Sequence, residues 1–309
     1  LRKNGNSPYH IMTRRIIIAF LLTLSLQASS QTRTGIFIGG GTTWYYGDMN
    51  DRLLTHQKLF RYYFTGGLLY RASQHFYIAG AFSAGKVVGA DSLAIQDFNL
   101  NRDLHFRNDI WQVSLTAEYR ILGYQNGKTR KVTPYLIGGV AYYHYNPIAI
   151  LNDQEVELNP LGTEGQYIEG GGNPKPYKLY SLSFPVGVGV EFRLTNAFAA
   201  RIEIINHFTF ADYFDDLSGV YADSLQLSAT TNGALAVEMA SNLADGYPRT
   251  GASRGDPNDN DTYMFAGVKL LYTPVFGDNG NRGSGGGGNK SGFKGGKRKK
   301  KKANCPAFD

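Results

Sequence analysis

Long apolar runs are what this sequence most clearly lacks. Outside the N-terminus, no stretch approaches the roughly 20 apolar residues that a membrane-spanning helix needs, which excludes such a helix there. Charged residues are also sparse, at 18%, and only 42% of residues are hydrophobic. Glycine (38 residues) and tyrosine (21 residues) are, by contrast, abundant. This composition favours a β protein over a helical one.

Positive charge is scarce in the middle of the chain and concentrated at its ends. The formal net charge is +7, but residues 31–273 hold 19 basic and 23 acidic residues. Residues 274–309 hold nine basic and two acidic residues, and include the unbroken basic run Lys297–Lys302. Such a run ordinarily suggests a nucleic-acid-binding segment or a nuclear localisation signal. An export signal at the other end of the chain excludes a nuclear role, so no nucleic-acid partner is expected.

That export signal has the layout of a secretory signal peptide. Met12 is the expected start, and two arginines precede the apolar core Ile16–Leu26. Small residues stand at the −3 and −1 positions, so Gln31 is the expected first mature residue. The core is too short to span a bilayer as an anchor. No cysteine follows it to carry a lipid, which excludes a lipoprotein anchor at this point.

Eight segments have the period-2 alternation, or the glycine- and aromatic-rich composition, of β-strands. They are 35–48, 62–71, 76–88, 111–121, 133–145, 180–194, 198–210 and 262–273. They are longer than the usual 5–6 residues of a strand. Their length matches the roughly 9–11 residues that a tilted strand needs to cross a bilayer. Eight is also an even number, as bacterial single-chain barrels require.

The connections between these segments alternate strictly between short and long. Those after the second, fourth and sixth strands are short or modest, whereas the other four are long. This is the asymmetry of an outer-membrane barrel with periplasmic turns and external loops, and it places both termini in the periplasm. We therefore predict three parts. Residues 1–30 are upstream residues plus a signal peptide, residues 31–276 form an outer-membrane barrel, and residues 277–309 form a periplasmic C-terminal tail.

Seven charged residues lie on the strand face opposite the apolar one. They are Glu118, Arg120, Glu191, Arg193, Arg201, Glu203 and Lys269. A closed sheet in lipid must hide its charges inside, where both signs could pair in a network. Eight strands give an interior just wide enough to be filled by side chains, so we expect no open pore. The alternative is a soluble β-sandwich or lipocalin-like barrel, whose charged face would meet water on every strand.

Few constellations suggest chemistry. His207 and Thr209 share a face and could form a base and a nucleophile, but such a pair is common among polar lumen residues. The segment 211–221 carries an external motif that consists of Asp212, Tyr213, Asp215 and Asp216. Its carboxylates could do acid–base work or bind a cation, but a cluster of this kind more often orders a loop through hydrogen bonds. Residues 254–263 alternate acidic and amide side chains without the spacing of an EF-hand. We expect no cofactor, no metal and no enzymatic activity.

Several motifs, taken in order, resemble the PorG-like outer-membrane proteins. They are WYYGDMND (44–51), TPYLIGGVAYYHYNP (133–147), LGTEGQ (161–166), FPVGVGVEFRL (184–194), ADYFDDLSGVY (211–221) and the terminal CPAF (305–308). The resemblance implies a component of the type IX secretion system, which exports proteins across the outer membrane and is linked to gliding. It also implies an anchor for a periplasmic ring made of a PorK/GldK-like lipoprotein and a PorN/GldN-like protein. No catalytic residues come with this family.

The C-terminal tail is the predicted contact with that ring. Residues 279–296 are glycine-rich and predict a flexible tether. The predicted partner-binding residues that follow it are Lys297, Arg298, Lys299, Lys300, Lys301, Lys302, Cys305, Pro306 and Phe308. Cys305 is the only cysteine, so it either forms an intermolecular disulfide or docks as a packed residue. Two alternatives stay open: an outer-membrane lipid or peptide hydrolase, and a structural barrel whose tail binds envelope polyanions.

Overall fold

The computed structural model describes residues 34–50, 57–94, 96–122, 131–170, 172–243, 246–258 and 260–274. The predicted signal peptide and C-terminal tail lie outside these residues, and their boundaries stay predictions. In the part of the chain that is described, no helix is long and apolar enough to cross a membrane.

Eight antiparallel strands form a closed sheet. In chain order they are β1 (Thr34–Tyr46), β2 (Arg61–Arg71), β3 (Phe76–Ala90), β4 (His105–Arg120), β5 (Val132–His144), β8 (Tyr180–Arg193), β9 (Phe198–Thr209) and β10 (Thr262–Tyr272). Each strand pairs with the next along this series, and β10 pairs back with β1, so that Gly41 lies opposite Gly267. The predicted eight-stranded antiparallel barrel is therefore confirmed.

A hairpin that the sequence analysis assigned to a loop extends the sheet at one end. It consists of β6 (Pro147–Leu151) and β7 (Gln154–Glu157), and β6 pairs with β4 through Arg107 and Ile148. β4 itself begins at His105, six residues before the predicted start, because β3 pairs with it as far as Ala90 opposite His105. In this early part the inward positions are Phe106, Asn108 and Ile110, and the polar Asn108 interrupts the apolar alternation on which the prediction was based.

The four long connections carry the remaining elements. We call them loop 1 (47–60), loop 2 (91–104), loop 3 (145–179) and loop 4 (210–261), and together the cap. Their helices are α1 (Asp97–Arg102), α2 (Ser224–Ser228) and α3 (Gly233–Ala240), with single 3₁₀ turns at Gln57–Leu59, Asp91–Leu93 and Asn159–Leu161. The Asp223 side chain caps α2 by accepting hydrogen bonds from the N–H groups of Leu225 and Gln226. Loops 3 and 4 share a small apolar core that includes Leu158, Leu227 and Ala236.

The outer surface of the barrel is apolar on every strand. Ile38 and Phe64 are 65% and 66% exposed, and large apolar side chains stand outward on the other strands too. Such a continuous apolar surface is far larger than a water-soluble monomer tolerates. The inward positions carry the polar and charged residues instead. The soluble alternative is therefore wrong, because the apolar face is the outside of the barrel and not its core.

Bulky inward side chains fill the barrel because glycines on neighbouring strands make room for them. A Cβ atom at Gly189 would lie 2.3 Å from the ring of Tyr135, and one at Gly267 would lie 2.6 Å from the Tyr63 hydroxyl. The filled lumen that was predicted is thus confirmed, and the glycines of these strands are part of its packing.

Both described ends of the barrel lie at the end where the connections are short. Thr34 at the start of β1 pairs with Tyr70, just before the turn 72–75. Tyr272 at the end of β10 pairs with Phe198, just after the turn 194–197. The cap occupies the opposite end. The periplasmic position of the termini, however, stays a prediction.

The outward face predicts the effect of a charge placed in it. We expect Ile204→Arg, in the middle of β9, to lower the free energy of unfolding by about 2–4 kcal/mol, because the guanidinium would lie in hydrocarbon. Leu225→Arg is the matched control, since Leu225 is 79% exposed on the cap. The measurement is chemical unfolding in lipid vesicles. Equal losses in both variants would contradict a lipid-facing β9.

Candidate functional site

Arg201 lies at the centre of the lumen and is fully buried. Its Nη2 atom is 2.6 Å from Glu118 Oε1 and 3.3 Å from Glu203 Oε1. Its Nε atom donates to the hydroxyl of Tyr135, 2.8 Å away, and that hydroxyl donates to Glu203. Charge-assisted bonds of this kind are stronger than neutral ones and offset part of the desolvation of the charges.

The other charged lumen residues join the same cluster. Glu191 Oε2 lies 2.7 Å from Arg120 Nη2, and Glu191 Oε1 lies 3.4 Å from Arg193 Nη2. Lys269 Nζ lies 2.6 Å from Glu203 Oε2. The structure therefore brings together all seven charged residues named from the sequence, and we call them the lumen network. Its role as a functional site stays a prediction.

Little space remains beside this network. A lumen cavity bordered by Glu118, Glu203, His207 and Lys269 measures about 30 Å³, which is roughly the volume of one water molecule. The ring of His207 stacks on that of Tyr263, with centroids 4.5 Å apart. The arrangement can seal and stiffen the barrel, but it offers no space in which a solute could pass.

Above the lumen, Arg102 joins three of the cap loops. Its Nε and Nη2 atoms each lie 2.7 Å from an oxygen of Asp91, within loop 2. Its Nη2 atom also donates to the carbonyl of Asp48 in loop 1, and its Nη1 atom donates to the carbonyl of Arg254 in loop 4. The side chain is 2% exposed, so nearly all of its donors are engaged away from water.

Arg254 is a second buried cation and joins loops 3 and 4. Its guanidinium lies 3.1 Å from Glu164 and 3.3 Å from Asp216. Burial alone would lower the pKa of Arg254, but these two carboxylates raise it above the ordinary value. Asp216 also accepts hydrogen bonds from Thr163 and Tyr177 of loop 3. The cap is thus held together by ion pairs between residues far apart in sequence.

A group of carboxyls shares one tyrosine at the base of the cap. The hydroxyl oxygen of Tyr45 lies 2.6 Å from Asp215 Oδ2 and also contacts Asp261 Oδ1. Burial raises the pKa of both aspartates well above the ordinary value, and a neighbouring carboxylate raises each pKa further, Asp48 for Asp215 and Asp215 for Asp261. One phenol proton serves only one carboxylate, so the second contact requires a proton on the other carboxyl. Burial likewise raises the pKa of the neighbouring Asp48 to about 7.

The predicted external motif lies within this cap. Asp215 and Asp216 are fully buried, and the Tyr213 hydroxyl donates to Glu164 Oε2, 3.0 Å away. Asp212 contacts the hydroxyl of Ser218. The three carboxyls of the motif accept hydrogen bonds from different partners instead of converging on one ligand; these partners are Ser218, Tyr45 of β1 and Thr163. In the described ranges, no group of three or more His, Cys, Asp or Glu residues is placed to hold a metal ion.

The other residues considered from the sequence have different positions. The Thr209 hydroxyl lies 2.9 Å from the backbone carbonyl of Ala211 and 2.8 Å from that of Asp261, so its one proton is directed to the backbone and not to His207. The tail residues Lys297–Lys302, Cys305, Pro306 and Phe308 lie outside the described residues.

Sequence reasoning missed the two buried arginines of the cap. Arg102 and Arg254 are isolated charges in long loops, where a charged residue is normally solvated, and no local pattern separates them from surface residues. The importance of Glu164 could be suspected from the sequence, because it lies in the LGTEGQ motif. Only the fold shows that its ion-pair partner is Arg254.

A closed antiparallel sheet with an apolar outside and a charged, filled inside defines an eight-stranded barrel of the outer-membrane type. The chain belongs to the family described as a domain of unknown function, DUF6089, whose model matches residues 13–239. That description assigns no activity.

Solved structures with low sequence identity are similar to the chain. Neisserial surface protein A (NspA) is 8% identical, covers 80% of this chain and all of its own, and has a TM-score of 0.39. Ail of Yersinia pestis, in complex with the heparin analogue sucrose octasulfate, is 11% identical, covers 79% and 99%, and has a TM-score of 0.37. The N-terminal barrel domain of Pseudomonas aeruginosa OprF is 12% identical, covers 79% and 98%, and has a TM-score of 0.34. No curated protein matches the sequence.

The lumen network predicts a large loss of stability when its central cation is removed. We expect Arg201→Met to lower the free energy of unfolding by about 3–5 kcal/mol, because Glu118 and Glu203 would stay buried with less compensation. Adding Glu118→Gln should recover part of that loss. The measurement is the midpoint of barrel unfolding, monitored by the heat-dependent shift of the folded barrel on SDS gels. An unchanged midpoint in Arg201→Met would contradict the role assigned to this residue.

Asp48 predicts a pH dependence of cap stability. Burial raises its pKa from the ordinary 3.8 to about 7 in the folded chain, so the folded state holds the proton more tightly. The stabilisation is therefore present at low pH and is lost as pH rises from about 4 to about 7. We expect the melting temperature to fall between pH 5 and pH 8, and Asp48→Asn to reduce that fall. Asp97→Asn, an exposed residue of α1, is the control; the same fall in wild type and Asp48→Asn would refute the assignment.

Proposed function

We propose that the protein is a non-enzymatic outer-membrane component of the type IX secretion system that anchors the periplasmic ring to the outer membrane. The proposal starts from the PorG-like motifs. Three of them converge in the cap: Tyr45 of the first, Glu164 of LGTEGQ, and Asp215 and Asp216 of ADYFDDLSGVY. Motif residues more than 100 positions apart in the sequence thus lie in one part of the structure. This supports the interpretation that the motifs together mark a family and did not each arise by chance.

Two bands of aromatic side chains support a position in the outer membrane. Near the cap, Trp111 and Phe184 contact Tyr180 and Phe210 at centroid distances of 5.9 Å and 5.0 Å. At the short-turn end, Phe76 packs against Tyr119 at 5.2 Å. Aromatic girdles at both interfaces, with an apolar band between them, are the pattern of outer-membrane barrels. Membrane lipids are therefore the first partner of the barrel.

The position of the chain ends is the observation that carries the anchoring role. β10 ends at the short-turn end of the barrel, so the segment that follows leaves from that side. Short turns face the periplasm in outer-membrane barrels. On this orientation the basic tail, with Cys305 near its end, enters the compartment where a periplasmic ring would lie.

The filled lumen supports an anchor over a channel or an enzyme. Arg201 and its partners occupy the centre of the barrel. The Thr209 hydroxyl donates to backbone instead of a base, and the buried cap carboxyls are engaged with loop partners. Protein traffic would therefore pass elsewhere in the assembly, while this chain supplies a stable membrane attachment.

Deleting residues 297–309 tests the proposal. We expect ring proteins of the PorK/GldK-like and PorN/GldN-like types to copurify with the full chain from solubilised membranes and to be lost with the deletion. The matched variants are Cys305→Ser, which removes only the thiol, and replacement of Lys297–Lys302 by glutamine, which removes only the charge. Barrel assembly in each variant is checked by its heat-dependent gel shift.

The outcomes separate the alternatives. Full recovery of the ring proteins with the deleted chain would refute the tail as the contact. Salt-sensitive retention of the tail in cells that lack ring proteins would favour envelope polyanions as its partner. A shifted band on non-reducing gels that Cys305→Ser abolishes would identify an intermolecular disulfide.

A further inference from the structure

The cap contains a cavity of about 170 Å³ that none of the interactions above explains. It lies between loop 2, β6 and loop 4, at the end of the barrel opposite the short turns. A protein cavity of about 150 Å³ can hold a molecule the size of benzene, so this one has room for an apolar group of similar size. It is smaller than the pockets of drug-sized ligands. A ligand that fits it is therefore small, or is one residue of a larger molecule.

The floor of the cavity is apolar. Met49, Leu158 and Ala149 are buried there, and Leu104 and Met239 form half-buried walls. Two charged residues, Asp215 and Arg254, also border it. Both are already engaged, however, Arg254 with Glu164 and Asp216 and Asp215 with Tyr45. The free surface of the floor therefore favours an aliphatic group.

The mouth of the cavity is acidic. Asp103 and Glu238 are exposed at its rim, and within the described residues neither carboxylate has a cationic partner. Asp103 is held in the left-handed region at φ 50° and contacts the amide of Asn242, 3.3 Å away, which joins loops 2 and 4 at the rim. The Nε2 atom of His105 accepts a hydrogen bond from the N–H of Ile150.

We propose that this cavity binds an amphipathic ammonium group, whose apolar part enters the floor while its charge stays between Asp103 and Glu238. An aliphatic group about the size of a leucine side chain matches the volume. Burial of its apolar surface supplies the affinity, and the two carboxylates supply selectivity for a cation over a neutral analogue. The N-terminus of a peptide that begins with an aliphatic residue has this chemistry, and so does a free alkylamine. The site lies on the cap, so it does not depend on the role proposed for the tail.

Methionine methyl groups report on this cavity directly. The full sequence has four methionines, of which Met49 and Met239 line the cavity and Met264 lies on the outward face of β10. The full chain, labelled with ¹³C at the methionine methyl groups and placed in lipid nanodiscs, is titrated with leucinamide. We expect saturable shifts of the Met49 and Met239 signals and none of Met264. N-acetyl-leucinamide, which has the same side chain without the charge, should bind about tenfold more weakly.

Two further probes distinguish the sources of the ligand. If Leu-Gly-Gly-amide binds more tightly than leucinamide, the site recognises a peptide N-terminus and also contacts the peptide residues that follow it. If 3-methylbutylamine binds as well as both, the site takes a free amine. Equal binding of leucinamide and its acetylated form, equal shifts at Met264, or no shift with any probe would overturn the proposal.

Variants of the rim complete the test. Glu238→Gln and Asp103→Asn should each weaken leucinamide binding about two- to fivefold, since each removes one partially exposed charge contact. Neither should change the weak binding of the acetylated probe. Glu169→Gln, which removes an exposed carboxylate outside the cavity, is the matched control and should bind as wild type. Unchanged leucinamide affinity in both rim variants would refute the acidic rim as the recognition element.

Discussion

The burial of Arg201 at the centre of a closed sheet is the constraint on which the rest of the structure depends. A guanidinium taken out of water must be matched by carboxylates in good geometry, and Glu118, Glu203 and Tyr135 provide that match from three other positions. Glu203 lies two residues from Arg201 on β9, but Glu118 of β4 and Tyr135 of β5 reach Arg201 only when these strands curve around the lumen in register. The charged residues thus favour one closed arrangement of strands with their side chains inside. The apolar residues of each strand then face the outer surface of the barrel.

The same principle recurs in the cap with different residues. Arg102 and Arg254 are buried cations whose partners come from separate loops, and the two loop systems are joined where Arg102 donates to the carbonyl of Arg254. Long loops that would otherwise be free to vary are therefore tied over the barrel. The tied loops and the filled lumen leave the short-turn end as the side of the barrel at which the anchoring contact that we propose would lie.

Prediction from the sequence succeeded where periodicity is enforced by the membrane. Each barrel strand alternates between lipid and lumen over its whole length, so its existence and its inward residues, Glu203 for example, follow from a period of two. It failed for β6 and β7, which lie outside the membrane, where no apolar face is imposed and the pattern is weak. It also failed for Arg102, whose burial depends on partners that are remote in sequence.

The sequence by itself determined the number of barrel strands, the alternation of short and long connections, and which face of each barrel strand is charged. These are local properties, because lipid on one side and a narrow lumen on the other constrain every strand separately. Only the tertiary structure decided which charges pair, that Glu164 meets Arg254, and that Met49 and Glu238 border one cavity. Such pairings depend on register and on loop packing, and residues that are far apart in the chain carry no local sign of the neighbours they will have.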